Sequence, residues 1–376
     1  MGAQHSDMDS EKLEGDVEAF RGESTMEVEE IFPDERFPNA VVALDGAVVA
    51  TWGHEHLVAR RSEDGGATWG DVIPIGDGIH GGGTTVDEAS GDLLVFGHPQ
   101  HPPTDTTPAS RTVYRSGDGG RSWAATEADF ATDAQGYLPS LHFAEHGVTL
   151  RRGGHAGRLL RPARVYDKGA GGYNTAIFSD DGGRTWQCSQ PFPVEGTGEG
   201  AAVELSDGRI YYSSRRHRFF EGEQMRWERL RAWSDDGGAT WTDPQHHLNL
   251  PDGPRYRGEE GRGANHQGHF GMAGGLTRLP VTGRDILIYS NADEEGHERV
   301  RMTAWASLDG GQTWPVKRLV DEGPGAYSSL EAGRPGTPSE GWIYLQYEER
   351  GGGGRMARFN LSWLLAGEAT GDGQLP

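Results

Sequence analysis

Apolar residues in this chain come in short runs divided by glycine- and aspartate-bearing turns, and no long stretch carries helical periodicity. Ala40 to Ala50 reads AVVALDGAVVA, two apolar runs broken at Asp45-Gly46, the signature of a tight hairpin. Ala201 to Ser214 repeats the design around Asp207-Gly208, and Gly91-Asp92 breaks Thr84 to Phe96 in the same way. The pattern predicts an all-β protein.

One repeat organises the rest. Five segments share Ser-x-Asp-x-Gly-x-Thr/Ser-Trp: SEDGGATW from Ser62, SGDGGRSW from Ser116, SDDGGRTW from Ser179, SDDGGATW from Ser234 and SLDGGQTW from Ser307. Their first serines are spaced by 54, 63, 55 and 73 residues, so 376 residues hold roughly six such units. That count predicts a six-bladed β-propeller over residues 25–366. Asp followed by two glycines makes a tight turn in which the carboxylate caps backbone amides and glycine supplies positive φ. The aspartates are therefore expected to hold the fold, and the tryptophans to pack between strands. A ring must hide its seam, because open strand edges invite pairing with other chains. Thr25 to Phe32 (TMEVEEIF) is expected to add the outer strand of a last blade whose other strands lie within Ala326 to Leu365. Residues 1–24 and 367–376, polar and poor in apolar groups, are expected as a disordered acidic tail and a flexible end.

Composition narrows the function classes. The 57 acidic residues outnumber 35 basic ones for a net charge of -22, which disfavours nucleic acid and anionic membranes as partners. A lone cysteine, Cys188, excludes an intrachain disulfide framework and a multi-cysteine zinc site. No apolar run is long enough to span a membrane, and Met1 to Gly15 shows no secretory signal. A cytoplasmic location is expected on that basis, with export by an unmarked route left open.

The eight-residue repeat is the Asp box, and from about residue 26 to 366 the chain resembles the sialidase superfamily, in particular its retaining exo-acting glycosidases. The closing ARFNLSWL (Ala357 to Leu364) and HAGRLLRP (His155 to Pro162) share that likeness, and the latter is expected to form a strand with no catalytic role. Members of that family hold a sugar carboxylate with three arginines, whose planar forks match a carboxylate and stay charged at any working pH. The resemblance implies Arg36, in Arg36-Phe37-Pro38 where the family has Arg-Ile-Pro. It implies Arg215 at the end of GEGAAVELSDGRIYYSSR, and Arg299, eight residues before Ser307, with Arg301 as the alternative on the same strand face. Tyr327, in GAYSSL, is the implied nucleophile and Glu199 its base; a phenol approaches an anionic substrate where a carboxylate would be repelled. Glu348, in LQYEER, is implied to hold the first arginine in place, whereas Glu204 is expected to support structure. No cofactor is implied.

One family component is missing. The loop that usually carries an acid/base aspartate is reduced to GHEH, Gly53 to His56, which contains no Asp. Glu55, His54 and His56 are the local candidates for the proton donor, and strand alternation would turn inward either Glu55 or the two histidines. Histidines also recur in other loops, at His80, His98, His101, His266 and His269, with Asp105 near them. They read either as solvated or hydrogen-bonded side chains or, more sharply, as a rim in which imidazoles replace the lost aspartate or help read another sugar. No tight metal-ligand spacing such as HExxH accompanies them. The reading is an exo-glycoside hydrolase acting on terminal sialic acid or a related carboxylated glycan. The alternatives are a propeller polysaccharide lyase that uses Tyr and His on uronates, and a non-catalytic carbohydrate-binding propeller.

Overall fold

The computed structural model describes residues 13–34, 36–101, 110–165, 172–218, 228–253, 271–294, 296, 298–349 and 352–374. Over them the chain forms six sheets arranged as a six-bladed propeller. Blade 1 runs from the hub outward through Asn39–Val42, Val48–Trp52, His56–Ser62 and Ile73–Asp77. Blade 4 repeats that order with Thr197–Glu204, Ile210–Arg216, Glu228–Ser234 and Thr242–Pro251. In blade 5, Gly275–Arg278, Leu287–Ala292, Val300–Ser307 and Val316–Pro324 do the same. Blades 2 and 3 are built around Leu93–His98 with Thr112–Ser116, and Leu159–Val165 with Tyr173–Ser179. Blade 6 consists of Ser328–Ala332, Ile343–Glu348 and Gly354–Phe359, and Met26–Phe32 pairs antiparallel with the last of these to close the ring.

Every Asp box joins the third and fourth strands of its blade, as in Ser62–Trp69 between His56–Ser62 and Ile73–Asp77. The Asp64 carboxylate accepts from the Ala67 and Thr68 amides (3.0 and 2.9 Å) and from the Thr68 and Ser62 hydroxyls (2.6 and 2.8 Å). Those bonds, led by Thr68, hold its pKa at about 2. Gly65 and Gly66 have φ of 71° and 82°, which a side chain would resist. The box tryptophans Trp186, Trp241 and Trp314 are buried, and six apolar clusters each bridge neighbouring blades.

The described parts of the two ends expected as solvated tails over 1–24 and 367–376, residues 13–24 and 367–374, pack against the propeller. Gly15 bridges to Val281, and the short helix Val17–Phe20 buries Val17 and Phe20 in the cluster shared by blades 5 and 6. At the other end Glu368–Ala369 pairs with Val316 and Lys317, and Asp372 accepts from the Trp314 amide (2.9 Å). Two apolar side chains and a few strand bonds suffice to dock segments whose composition alone reads as solvated. Among the described residues no helix is long and apolar enough to cross a membrane.

Candidate active site

Tyr327 sits at the hub, one residue ahead of the inner strand Ser328–Ala332 of blade 6. Its carbonyl accepts from the Glu348 amide (2.9 Å), and the Glu348 carbonyl accepts from Ala326 (2.8 Å), which fixes both residues at the same end of the blade. The Tyr327 hydroxyl donates to Glu199 Oε1 at 2.7 Å. Glu199 comes from the inner strand of blade 4, where pairing shifts register between Thr197 and Gly200. Such an irregularity re-aims a side chain. A Cβ at Gly200 would run into the Tyr212 ring, so the flanking glycines of GEG are what let Glu199 take this position. Arg215, on the neighbouring strand, ion-pairs with Glu199 and donates to the Tyr327 oxygen at 3.3 Å. Tyr327, Glu199 and Arg215 are all buried.

Two further arginines complete the group. The Arg36 guanidinium lies 5.3 Å from the centre of the Tyr327 ring, and Glu348 binds it at 3.2 Å while also accepting from the Phe37 amide (2.9 Å). Phe37 has φ of 78°, a left-handed conformation that costs an aromatic residue roughly 1–3 kcal/mol. The Glu348 bond and the surrounding packing hold it there. Arg299 stacks over the Tyr327 ring at 5.2 Å and makes no ion pair among the described residues. Arg301, the alternative, has φ of 62° and turns its side chain to Glu322 (3.3 Å) at the surface. Blade 5 is irregular here, with register shifts between Val300 and Thr303, so simple alternation does not hold for the two arginines.

The electrostatics follow from this crowding. Burial would raise the Glu199 pKa, but Arg215, with His217 and Arg164 behind it, holds the carboxyl well below the usual range. Burial raises the Tyr327 pKa and the Glu199 charge adds to it, against the pull of Arg215, Arg299 and Arg36. At neutral pH the pair is a protonated phenol donating to a carboxylate.

The shortened loop does not behave as an alternating strand. Gly53 (φ 137°) begins a turn, its amide donating to the Arg36 carbonyl (2.9 Å), and a side chain there would strike the His56 backbone. His54 faces the site, its ring 5.6 Å from that of Phe37. Glu55 is exposed on the turn and His56 lies outward, 3.6 Å from Asp77. Neither is therefore brought to Tyr327, because the turn breaks the alternation that would have set Glu55 against the two histidines.

His101 packs edge-on to Phe37 at 5.0 Å and stacks on His142 at 4.7 Å, and His98 lies 5.4 Å from His142. His80 is fully buried, accepting from the Gly82 amide (3.0 Å), and belongs to the core. Asp105, His266 and His269 lie outside the described residues. Among the described residues no group of three or more His, Cys, Asp or Glu is arranged to hold a metal ion.

Sequence reasoning missed two residues here, His142 and Arg164. Arg164 Nη2 lies 2.7 Å from His142 Nδ1, and Arg164 Nη1 lies 4.0 Å from Glu199. The available signal was LLRPARV, the second strand of blade 3 from the hub, with two arginines among apolar residues, since a buried arginine demands partners. Arg161, the other, spends its donors on the Gly81, Gly82 and Leu141 carbonyls (2.8–3.0 Å). Glu204 lies at the far end of its strand and accepts from the Arg151 and Arg152 amides (2.8 and 3.0 Å), a structural position.

Residues 77–337 match the family described as BNR repeat-like domain. Over 364 residues the chain is 30% identical to the sialidase of Micromonospora viridifaciens, covering 89% of this chain and 52% of that protein. The chain belongs to the sialidase superfamily. A Vibrio cholerae sialidase is 26% identical over 217 residues, 49% of this chain and 25% of its own length. The chain thus spans about half, or less, of the sialidases it matches in sequence. Solved structures of the same fold include the Hadza microbial sialidase Hz136 (TM-score 0.65, 22% identity, 88% of this chain and 66% of that one). Another is an intramolecular trans-sialidase from Ruminococcus gnavus in complex with oseltamivir carboxylate (TM-score 0.62, 15% identity, 89% and 95%).

Proposed function

We propose that the chain is a retaining exo-glycoside hydrolase acting on a terminal sialic acid or a related carboxylated sugar. One observation carries the reading. Three guanidiniums, those of Arg36, Arg215 and Arg299, converge on the ring or hydroxyl of Tyr327, whose proton is already directed at Glu199. In this reading the substrate carboxylate lies among the three arginines. Drawing Arg215 toward the substrate weakens its hold on Glu199, so the carboxyl becomes a better base as the sugar arrives. Glu199 takes the phenol proton while the Tyr327 oxygen attacks the anomeric carbon and the leaving oxygen departs with a proton from the enzyme. Water then attacks the glycosyl-tyrosine bond, and the phenol recovers its proton from Glu199. The proton donor comes from the His54 side of the site, and Glu348 acts by holding Arg36.

The test is release of methylumbelliferone from a 4-methylumbelliferyl α-sialoside by the purified chain, with Tyr327→Phe as control. Turnover that disappears in the variant is the expected result. An unaltered rate in Tyr327→Phe overturns the mechanism. Imidazoles packed on Phe37, whose ring lies 6.1 Å from that of Tyr327, also favour a second reading, a lyase that abstracts a proton beside a uronate carboxylate. Its product has a new double bond and absorbs in the near ultraviolet, and hydrolysis creates no such absorbance.

A further inference from the structure

A hydrolase of this kind needs an acid for the leaving oxygen and a base for the incoming water. The GHEH turn holds no aspartate, Glu55 is exposed and His56 points outward to Asp77. Among the described residues the proton-moving groups packed on the Phe37 ring, itself 6.1 Å from that of Tyr327, are besides this tyrosine the imidazoles of His54, His101 and His142. Their ring nitrogens can be counted. His98 has Nδ1 on the Gln100 carbonyl (2.6 Å) and Nε2 on the Ser140 hydroxyl (3.4 Å). His142 has Nδ1 against Arg164 (2.7 Å) and Nε2 against His101. Both rings have their nitrogens committed. His101 uses Nδ1 on His142, and its Nε2 has no hydrogen-bond partner among the described residues. Its ring is partly exposed and packs against Phe37, the residue after Arg36.

We propose that His101 is the proton donor to the departing glycosidic oxygen, and that it takes up this proton when a carboxylate settles among Arg36, Arg215 and Arg299. The proposal rests on the hydrolase reading above and names the acid that reading requires. His101 is surrounded by Arg36 and His54 from blade 1, His98 from its own blade, His142 and Arg164 from blade 3, and Glu199 from blade 4. Burial first, then Arg36 and His54, disfavour its imidazolium and bring its pKa to about 4, with Glu199 pulling the other way. The free protein at neutral pH therefore holds a neutral ring, which cannot act as an acid. A bound carboxylate offsets the positive field and reverses that balance. The added proton goes to Nδ1 and opens the bond to His142, because Arg164 donates to His142 Nδ1 and leaves His142 Nε2–H the donor toward His101. In the first step imidazolium Nε2–H passes its proton to the oxygen as the C–O bond breaks and the bond to Tyr327 forms. In the second step the neutral ring takes a proton from the attacking water and is restored for the next cycle.

Two measurements test this on the full chain. In the first, His101→Gln is compared with wild type on 3′-sialyllactose, which has a poor leaving group, and on a methylumbelliferyl sialoside, which has a good one. A loss of about 10²–10⁴-fold on the lactoside is expected, with less than about tenfold on the aryl substrate. Equal losses on both, or a selective loss found in His54→Gln instead, overturn the assignment. In the second, the sialidase inhibitor DANA is titrated calorimetrically near pH 7 in buffers of different ionisation heat. Wild type is expected to take up about one proton on binding and His101→Gln close to none. Undiminished uptake in the variant overturns the proposal. A wild-type protein inert toward both substrates and DANA defeats the hydrolase reading itself, and this assignment with it.

Discussion

The two mouths of the propeller axis are built from arginine and glutamate, and they use the pair in opposite ways. The inner strand Thr197–Glu204 connects them, with Glu199 near one end and Glu204 at the other, roughly 17 Å apart at ~3.3 Å per residue. At the far mouth a cavity of about 90 Å³ is ringed by Arg151, Arg152, Arg278 and Arg334. Each of these has a carboxylate partner: Glu88 for Arg151 and Arg334, Glu14 for Arg152 and Arg278, with Glu204 also on Arg152. At the near mouth Arg299 stacks on Tyr327 with no ion pair among the described residues, and Arg36 and Arg215 share it. A saturated set of ion pairs ties blades together. A set with cationic capacity to spare suits, in the function proposed above, an anion that arrives from outside. The presence of arginines therefore says little, and their carboxylate partners decide what they do.

The sharpest way to break this contrast is at Tyr327. Tyr327→Phe keeps the packing and is expected to lower kcat/KM at least about 10⁴-fold, equivalent to about 5 kcal/mol, with the melting temperature nearly unchanged. At the far mouth the effects exchange places. Glu88→Gln leaves Arg151 and Arg334 without their buried partner and should cost about 3–5 kcal/mol in urea denaturation, with kcat of the folded protein unaffected. A fall in kcat without a fall in stability would show that the two mouths are not separate. Acid sharpens the same point. Burial opposes the Glu88 charge, yet Arg151 and Arg334 bring its pKa from 4.5 to about 2. Its contribution is thus complete above about pH 4.5 and lost as pH falls toward 2, and Glu88→Gln should flatten the unfolding midpoint against pH over that window. Arg299→Gln, at the near mouth, is expected to raise KM for a carboxylated glycoside by about 10–100-fold and to shift stability by less than about 0.5 kcal/mol. Smallest of all, Asp64→Ala should cost about 1 kcal/mol of stability and nothing in kcat, because its bonds stay within one turn on the rim.

What could be read from the sequence follows the reach of each interaction. The Asp boxes are local turns, so five copies of one octapeptide were enough to count blades and to set their aspartates apart from the hub. The meeting of Glu199 with Tyr327, and of Arg36 with Glu348, was legible through family likeness, although 128 and 312 residues separate the partners. His142 and Arg164 were not legible, because their contacts run between blades 2, 3 and 4 and leave no spacing in the chain. The choice between Glu55 and its neighbouring histidines failed for a backbone reason, since Gly53 starts a turn where a strand was assumed. The ends misled through composition: Phe20 is one aromatic in an acidic stretch, yet it is 2% exposed.

The strand Met26–Phe32 pairs with Gly354–Phe359, so during synthesis the earlier strand waits for a partner made more than 300 residues later. A ribosome completes five blades while that strand has no partner, and its three glutamates, Glu27, Glu29 and Glu30, keep it soluble in the interval. A message cut short before the final blade yields an open arc with two bare ends, in which Arg36 never meets Tyr327.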